Sequence, residues 1–222
     1  MSALPAVIAI DGPSASGKGT VAQRVAEALG FHYLDSGALY RLVALSAIGS
    51  GTSLDDAAAL AASAARLPAE FRDGRIVLAN QDVTDSLRSE ETSVAASRVA
   101  AVPAVRMALL ARQRAFRRPP GLVADGRDMG SVVFPDALLK VFLTAEVATR
   151  AERRYKQLME KGMYGKMPIV VEELRQRDAR DSARPVAPLK HYPDAVFLDT
   201  TSLSIEEAVD RVVGLYRERA RG

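Results

Sequence analysis

The chain has no cysteine among its 222 residues, which excludes a disulfide framework, a thiol nucleophile and any cysteine-ligated metal. It has two histidines, His32 and His191, too few for a histidine-rich metal site. No apolar run approaches the ~20 residues that a membrane-spanning helix needs. The amino terminus lacks a basic stretch followed by an apolar one, so an unexported, cytoplasmic protein with no membrane partner is expected. Aromatic residues make up 5% of the chain and lysines number six, which leaves no stacking platform for nucleic acid. A base-reading Asn-Lys-x-Asp motif of the GTPase kind is also missing.

What is present suits a globular enzyme. Hydrophobic residues are 48% of the chain, and 222 residues suit one large unit or a core with a small inserted module. The net charge is +3 but uneven. From Arg150 to Arg184 there are seven arginines and three lysines against six acids, a local +4 that leaves −1 for the rest. Arginine outnumbers lysine 24 to 6 throughout. This stretch reads either as a solvated helix pair or as a basic flap over something anionic, and charge alone favours the helix pair.

Strand-like runs recur at Ala6–Ile10, His32–Leu34, Leu122–Ala124, Leu139–Leu143 and Ala195–Leu198, with helical patterns between them. That alternation predicts βαβ units and a parallel sheet. The last helix should open on a capping box, Ser204 with Glu207, and bury Ala208, Val212 and Leu215 on one face. One interval breaks the alternation. Residues 67–87 contain "FRDGRIVLANQDVTD", with an Asp73-Gly74 turn and two weak strand runs, and predict a small β-rich insert.

The first strand runs into "DGPSASGKGT", residues 11–20, and Val21, Val25, Ala26 and Leu29 then recur at helical spacing. Gly12-x-x-x-x-Gly17-Lys18-Gly19-Thr20 has the spacing of a phosphate loop, with Gly19 where the commonest form has Ser or Thr. Gly12 and Gly17 let the backbone curl round phosphates, Pro13, Ser14, Ala15 and Ser16 form the turn, and Lys18 supplies a mobile point charge. The loop specifies nucleotide phosphates and says little about the reaction. Small phosphate-loop kinases place a second substrate opposite it and close an arginine-rich lid over both.

Four stretches in order, "DGPSASGKGT", "LDSGALYR" (34–41), "ADGRDMG" (124–130) with "VVFPDA" after it, and "RDARDSARPVAPL" (177–189), resemble bacterial-type cytidylate kinases. The resemblance runs from about Val7 to Val212. It implies a phosphate-loop nucleoside monophosphate kinase fold: an α/β architecture with a parallel five-stranded sheet flanked by helices, a small β-rich insert in the nucleoside-monophosphate region, and a helical lid. The corresponding regions would be a core of about 1–40, 98–150 and 190–222, an acceptor region of about 41–97, and a lid of about 151–184. It implies transfer of the γ-phosphate of ATP to CMP or dCMP, with Mg²⁺, by a monomer.

The same resemblance assigns residues. Ser36 and Arg41 would bind the acceptor phosphate and Tyr40 would pack on the nucleotide, although Ser36 by itself reads better as a helix cap. Arg127 would reach the acceptor phosphate with its planar fork, and Asp128 would accept from the cytosine 4-amino group. Ser97 and Arg106, in "AASRVAAVPAVR", would donate to O2 and N3 of the base; pattern alone makes them exposed helix residues. Arg177 and Arg180 would hold phosphates, and Asp181 and Arg184 the ribose hydroxyls. Positions 177, 180, 181 and 184 have the spacing of one helix face, which for an isolated run would be a salt-bridge ladder. Arg153 would be a third lid arginine, and Thr20 would hold Mg²⁺ through water. The glycines at 162 and 165 would make 161–166 a flexible lid tip. The competing expectations are a phosphate-loop kinase for another acceptor, such as a different nucleoside monophosphate or a shikimate-like acid, and a nucleic-acid binder using the basic stretch.

Overall fold

The computed structural model describes residues 4–72, 75–160, 162 and 166–221. Two compact units divide the chain: Met1–Leu34 with Ala115–Gly222, and Asp35–Arg114.

In the first unit, the uncharged run Ala6–Ile10 forms most of β1 (Ala6–Asp11). It pairs in parallel with β6 (Gly121–Gly126) on one side and β7 (Leu139–Thr144) on the other. With β2 (His32–Asp35) and β8 (Val196–Asp199) these strands make one sheet, in the order β2-β6-β1-β7-β8. All five strand-like runs of the sequence are strands, with β8 starting one residue later than expected. β6 is buried at all six positions and apolar from Leu122 to Ala124, as a strand covered on both faces reads, with Asp125 the charged exception near its end.

Helices α1 (Lys18–Leu29) and α8 (Ile205–Arg219) cover one core cluster through Val21, Ala22, Val25, Ala208 and Val212. The capping box of α8 forms as the sequence predicts. Glu207 N donates to Ser204 Oγ at 3.1 Å, and Ser204 N donates to Glu207 Oε2 at 2.8 Å. A helical hairpin, α6 (Val147–Glu160) and α7 (Met167–Ser182), has its own apolar seam of Ala151, Leu158, Val170 and Leu174. Most of the expected lid tip at 161–166 lies outside the described residues.

The second unit holds α2 (Ser36–Ser50), α3 (Ala57–Ala65), α4 (Glu90–Val99) and α5 (Pro103–Arg114). Between α3 and α4 lies an antiparallel three-stranded sheet of β3 (Ala69–Arg72), β4 (Arg75–Leu78) and β5 (Gln81–Asp82). The β-rich insert is thus present, with one strand more than the sequence suggested. A two-residue polar strand carries no hydrophobic alternation by which to find it. The Asp73-Gly74 turn falls outside the described residues. Among the described residues, no single helix is long and apolar enough to cross a membrane.

Candidate active site

The phosphate-loop sequence leaves the end of β1 and passes close over β7. A Cβ on Gly12 would stand 1.9 Å from the Leu143 carbonyl oxygen, so only glycine fits there. Gly17 takes φ +90°, a left-handed turn that starts α1 at Lys18, and no acidic residue occupies the first turn of that helix. Its amides and its dipole are therefore left for an external anion. Lys18 is buried, with Nζ donating to the Pro13 carbonyl at 3.2 Å and 3.9 Å from Asp125 Oδ1. Ser14 and Ser16 are buried too, and Ser16 Oγ has no hydrogen-bond partner among the described residues. A buried hydroxyl left this way in a glycine-rich loop fits a site completed by a ligand.

Residues just beyond β6 reach this loop. Arg127 donates through Nη2 to Ser14 Oγ at 2.9 Å, through Nη1 to the Gly126 carbonyl at 3.1 Å, and through Nε to Asp181 Oδ2 at 2.8 Å. Burial opposes the charge of Arg127, but the Asp181 carboxylate outweighs it and holds the guanidinium above its ordinary range. Asp181 is buried with 1% of its surface exposed. Burial would raise its carboxyl, yet Arg127, Arg184 and Arg177 together hold it below the usual range. Arg184 donates to Asp181 Oδ1 from two residues past the end of α7. The sequence spacing places 177, 180, 181 and 184 on one face; in the structure Asp181 is buried, Arg177 half-buried and Arg180 exposed.

Arg153 donates to the Ser16 carbonyl at 3.0 Å, to Thr200 Oγ1 at 3.2 Å and to the Thr200 carbonyl at 2.6 Å. It therefore meets the loop at a backbone oxygen. Asp11 receives the amides of Met129 and Gly130, each at 2.8 Å. Removal from water pushes its carboxyl up to about 7 against these two hydrogen bonds, with Asp128 and Asp125 adding to the rise. Asp128 is 3% exposed and precedes a single π-helical turn, Met129–Val133.

In the second unit, α2 opens at the end of β2. Its cap is Asp35, whose Oδ1 accepts from Ala38 N at 3.1 Å; Ser36, the cap expected from the sequence alone, is the first helical residue and is buried. Asp35 also pairs with Arg41 Nη1 at 3.1 Å. Tyr40 is buried, and the Arg106 guanidinium lies 5.6 Å from its ring centroid while Nη1 donates to the Ala100 carbonyl at 3.1 Å. Ser97 and Arg106 are 3% and 7% exposed, against the exposed helix positions that pattern alone indicates. The Arg106 stem packs and its head pairs locally, which a polar letter in a helical run does not reveal.

No cluster of three or more His, Cys, Asp or Glu side chains suited to a metal occurs among the described residues. A magnesium ion brought by a nucleotide needs few protein ligands, because phosphate oxygens and water complete its shell. The solvent-open Thr20 hydroxyl and the Asp125 carboxylate, 3.1 Å from where a Cβ on Gly19 would stand, are hard oxygen donors of the kind such an ion takes. The residues present fit it.

Sequence reasoning missed Arg150, Asp178 and Thr200, all hydrogen-bonded at or beside the loop. Arg150 stands three residues before Arg153, a helical spacing that offered a signal; Thr200, at the end of β8, offered none.

The cytidylate kinase family profile matches residues 8–218. A cytidylate kinase of Chromobacterium violaceum is 58% identical over 213 residues, spanning 96% of this chain and 96% of that protein. One from Burkholderia pseudomallei is 58% identical over 96% of this chain and 93% of its own length, and one from Nitrosomonas europaea is 54% identical over 96% and 95%. A crystal structure of a gluconokinase from Sinorhizobium meliloti aligns with a TM-score of 0.51 at 16% identity, over 99% of this chain and 96% of that one. An uncharacterized protein from Eubacterium ventriosum aligns with a TM-score of 0.55 at 11% identity, over 96% and 98%. At these identities the structural likeness concerns the fold.

Proposed function

The chain belongs to the cytidylate kinase family, and from that premise we propose that it transfers the γ-phosphate of ATP to CMP or dCMP, giving ADP and CDP or dCDP. The observation that carries the reading is the meeting of Arg127 with Ser14. A guanidinium from the end of β6 hydrogen-bonds the hydroxyl of the phosphate loop itself, across 113 residues of sequence. A cation so placed is positioned to draw an acceptor phosphate towards the donor phosphates.

Residues 12–20 hold the ATP phosphates, with Lys18 as their mobile charge. Mg²⁺, held near Thr20 and Asp125 with water between, would neutralise part of the phosphate charge. Arg127 receives the acceptor phosphate with Ser36 and Arg41. Ser97, Arg106 and Asp128 read the cytosine edge, Tyr40 packs on the nucleotide, and Asp181 and Arg184 take the ribose hydroxyls. Arg177 and Arg180 come to the transferred group from α7, and Arg153 supports it beside the loop.

The acceptor is already an anionic phosphate, so no general base is needed. One acceptor oxygen bonds to the γ-phosphorus as the bond to the β-bridging oxygen breaks, and catalysis is alignment plus neutralisation of charge. Cytosine offers a donor at position 4 and an acceptor at 3, and uracil offers the reverse. A site wired for cytosine leaves polar groups unpaired with uracil, at about 1–3 kcal/mol for each mismatch. The reading includes action as a monomer in the cytoplasm, and no use of nucleic acid.

An assay of ADP release with CMP, dCMP, UMP and AMP tests this. CMP and dCMP should be the efficient acceptors, with UMP and AMP down roughly tenfold or more in kcat/KM. Turnover of AMP, or of a shikimate-like acid, at the rate of CMP would overturn it. Sedimentation of the working enzyme as a dimer would remove the monomer from the reading.

A further inference from the structure

Helix α6 turns two guanidinium groups, one helical turn apart, onto backbone oxygens of the phosphate loop. Arg150, with 4% of its surface exposed, donates from Nη1 to the Ser14 carbonyl at 3.1 Å. Arg153 donates from Nη1 to the Ser16 carbonyl at 3.0 Å. Both anchors are themselves held. Arg150 Nε donates to the Ala145 carbonyl at 2.9 Å and its Nη1 lies 2.7 Å from Asp178 Oδ2, while Arg153 is fixed to Thr200.

In a trans peptide the carbonyl and the following N–H point in opposite directions. A Ser14 oxygen drawn towards Arg150 therefore turns the Ala15 N–H the other way, and a Ser16 oxygen drawn towards Arg153 does the same for Gly17. These two residues also have positive φ, +57° at Ala15 and +90° at Gly17. For alanine that conformation is disfavoured and persists only where the surroundings enforce it. Successive amides turned to one side are what makes an anion-binding concavity.

We propose that Arg150 is a positioning residue for the transfer: with Arg153 it holds the carbonyls of Ser14 and Ser16 away from the cradle, so that the amides of Ala15 and Gly17 stay turned to the donor phosphates. Arg150 also ties this brace to α7 through Asp178, the neighbour of Arg177 in sequence. The proposal rests on the reading of residues 12–20 as the seat of ATP.

The test is kinetic, on the full chain. Arg150→Lys keeps a cation for Asp178 but loses the fork that spans three oxygens, and should raise KM for ATP roughly tenfold. KM for CMP should move less than about threefold, because only the donor seat is loosened. Millimolar guanidinium chloride should recover part of the lost ATP affinity in Arg150→Ala. An unchanged KM for ATP in both variants would overturn the proposal. So would a parallel rise in both KM values together with a fall in the melting midpoint, which is what a mere anchor of α6 would give. Lys18→Ala separates the two readings: if it too leaves KM for ATP unchanged, the ATP seat itself is misplaced, whereas a rise confined to Lys18→Ala sinks the brace alone.

Discussion

Arg127, Arg150 and Arg184 of the first unit grip carboxylates and backbone oxygens in a connected set, whereas Arg41 and Arg106 of the second make separate local contacts. In the first, Arg127 links Asp181 to Ser14, and Arg150 links Asp178 to the same serine. In the second, Arg106 spans the Ala100 carbonyl and the face of Tyr40, and Arg41 pairs with Asp35. The difference matches the two proposed tasks. Moving a phosphate requires several cations held in register, and a carboxylate network supplies that by fixing each fork in two directions. Reading a neutral base requires a few well-aimed polar groups in an otherwise apolar setting. On the proposed roles, the connected arginines of the first unit should act mainly on rate, and the local contacts of the second mainly on the affinity of the acceptor.

The largest expected effect probes the rate side. Arg180→Ala should lower kcat by roughly 10³-fold or more, the scale of an arginine lost from a phosphoryl transition state, while KM for CMP changes far less. Equal losses in both terms would break the comparison, because the residue would then be acting as a binder.

Asp128→Asn sharpens it from the other direction, since Asp128 belongs to the first unit but is proposed to select the base. The ratio of kcat/KM for CMP to that for UMP should fall roughly 10–100-fold as the acceptor for the 4-amino group becomes ambiguous. An unchanged ratio would leave base choice to the second unit alone.

A third measurement concerns Asp11, whose carboxyl is pushed up to about 7 by removal from water. Between its ordinary value of 3.8 and about 7 the folded chain keeps this proton and the unfolded chain has lost it. Stability from Asp11 is thus full below the lower value and is lost as pH rises through about 7, with a slope of at most about 1.4 kcal/mol per pH unit. Asp181 acts in the opposite sense and at lower pH, because its carboxyl is held below the usual range. Urea melts from pH 5 to 8 should show a flatter profile for Asp11→Asn than for the parent chain, and identical slopes would contradict the assignment.

The smallest effect lies in the second unit. Asp35→Ala removes the α2 cap and the Arg41 ion pair, and should cost about 1–2 kcal/mol in a denaturant melt. A cost near zero would return the capping role to Ser36.

Much of this was legible beforehand. The β-branched run Ala6–Ile10 and the glycine spacing at 12 and 17 are local chemistry, and they forecast β1, the loop and the start of α1. The insert was legible as a break in alternation, but β5, being two polar residues, was not. Ser204 and Glu207 announced their capping box because both partners lie within one turn. Asp35 and Ser36 are both good caps, and only the backbone path at the end of β2 decided between them.

By itself, the sequence determined the five strands of the parallel sheet, the glycine-rich turn into α1 and the family, since each rests on neighbours in the chain or on whole motifs. The tertiary structure alone decided which charges are paired. Arg127 with Asp181, Arg150 with Ser14 and Asp178, and Arg153 with Thr200 join segments 28 to 136 residues apart. Coulombic and hydrogen-bond energies depend on distance and burial in space, and a chain read along its length carries neither.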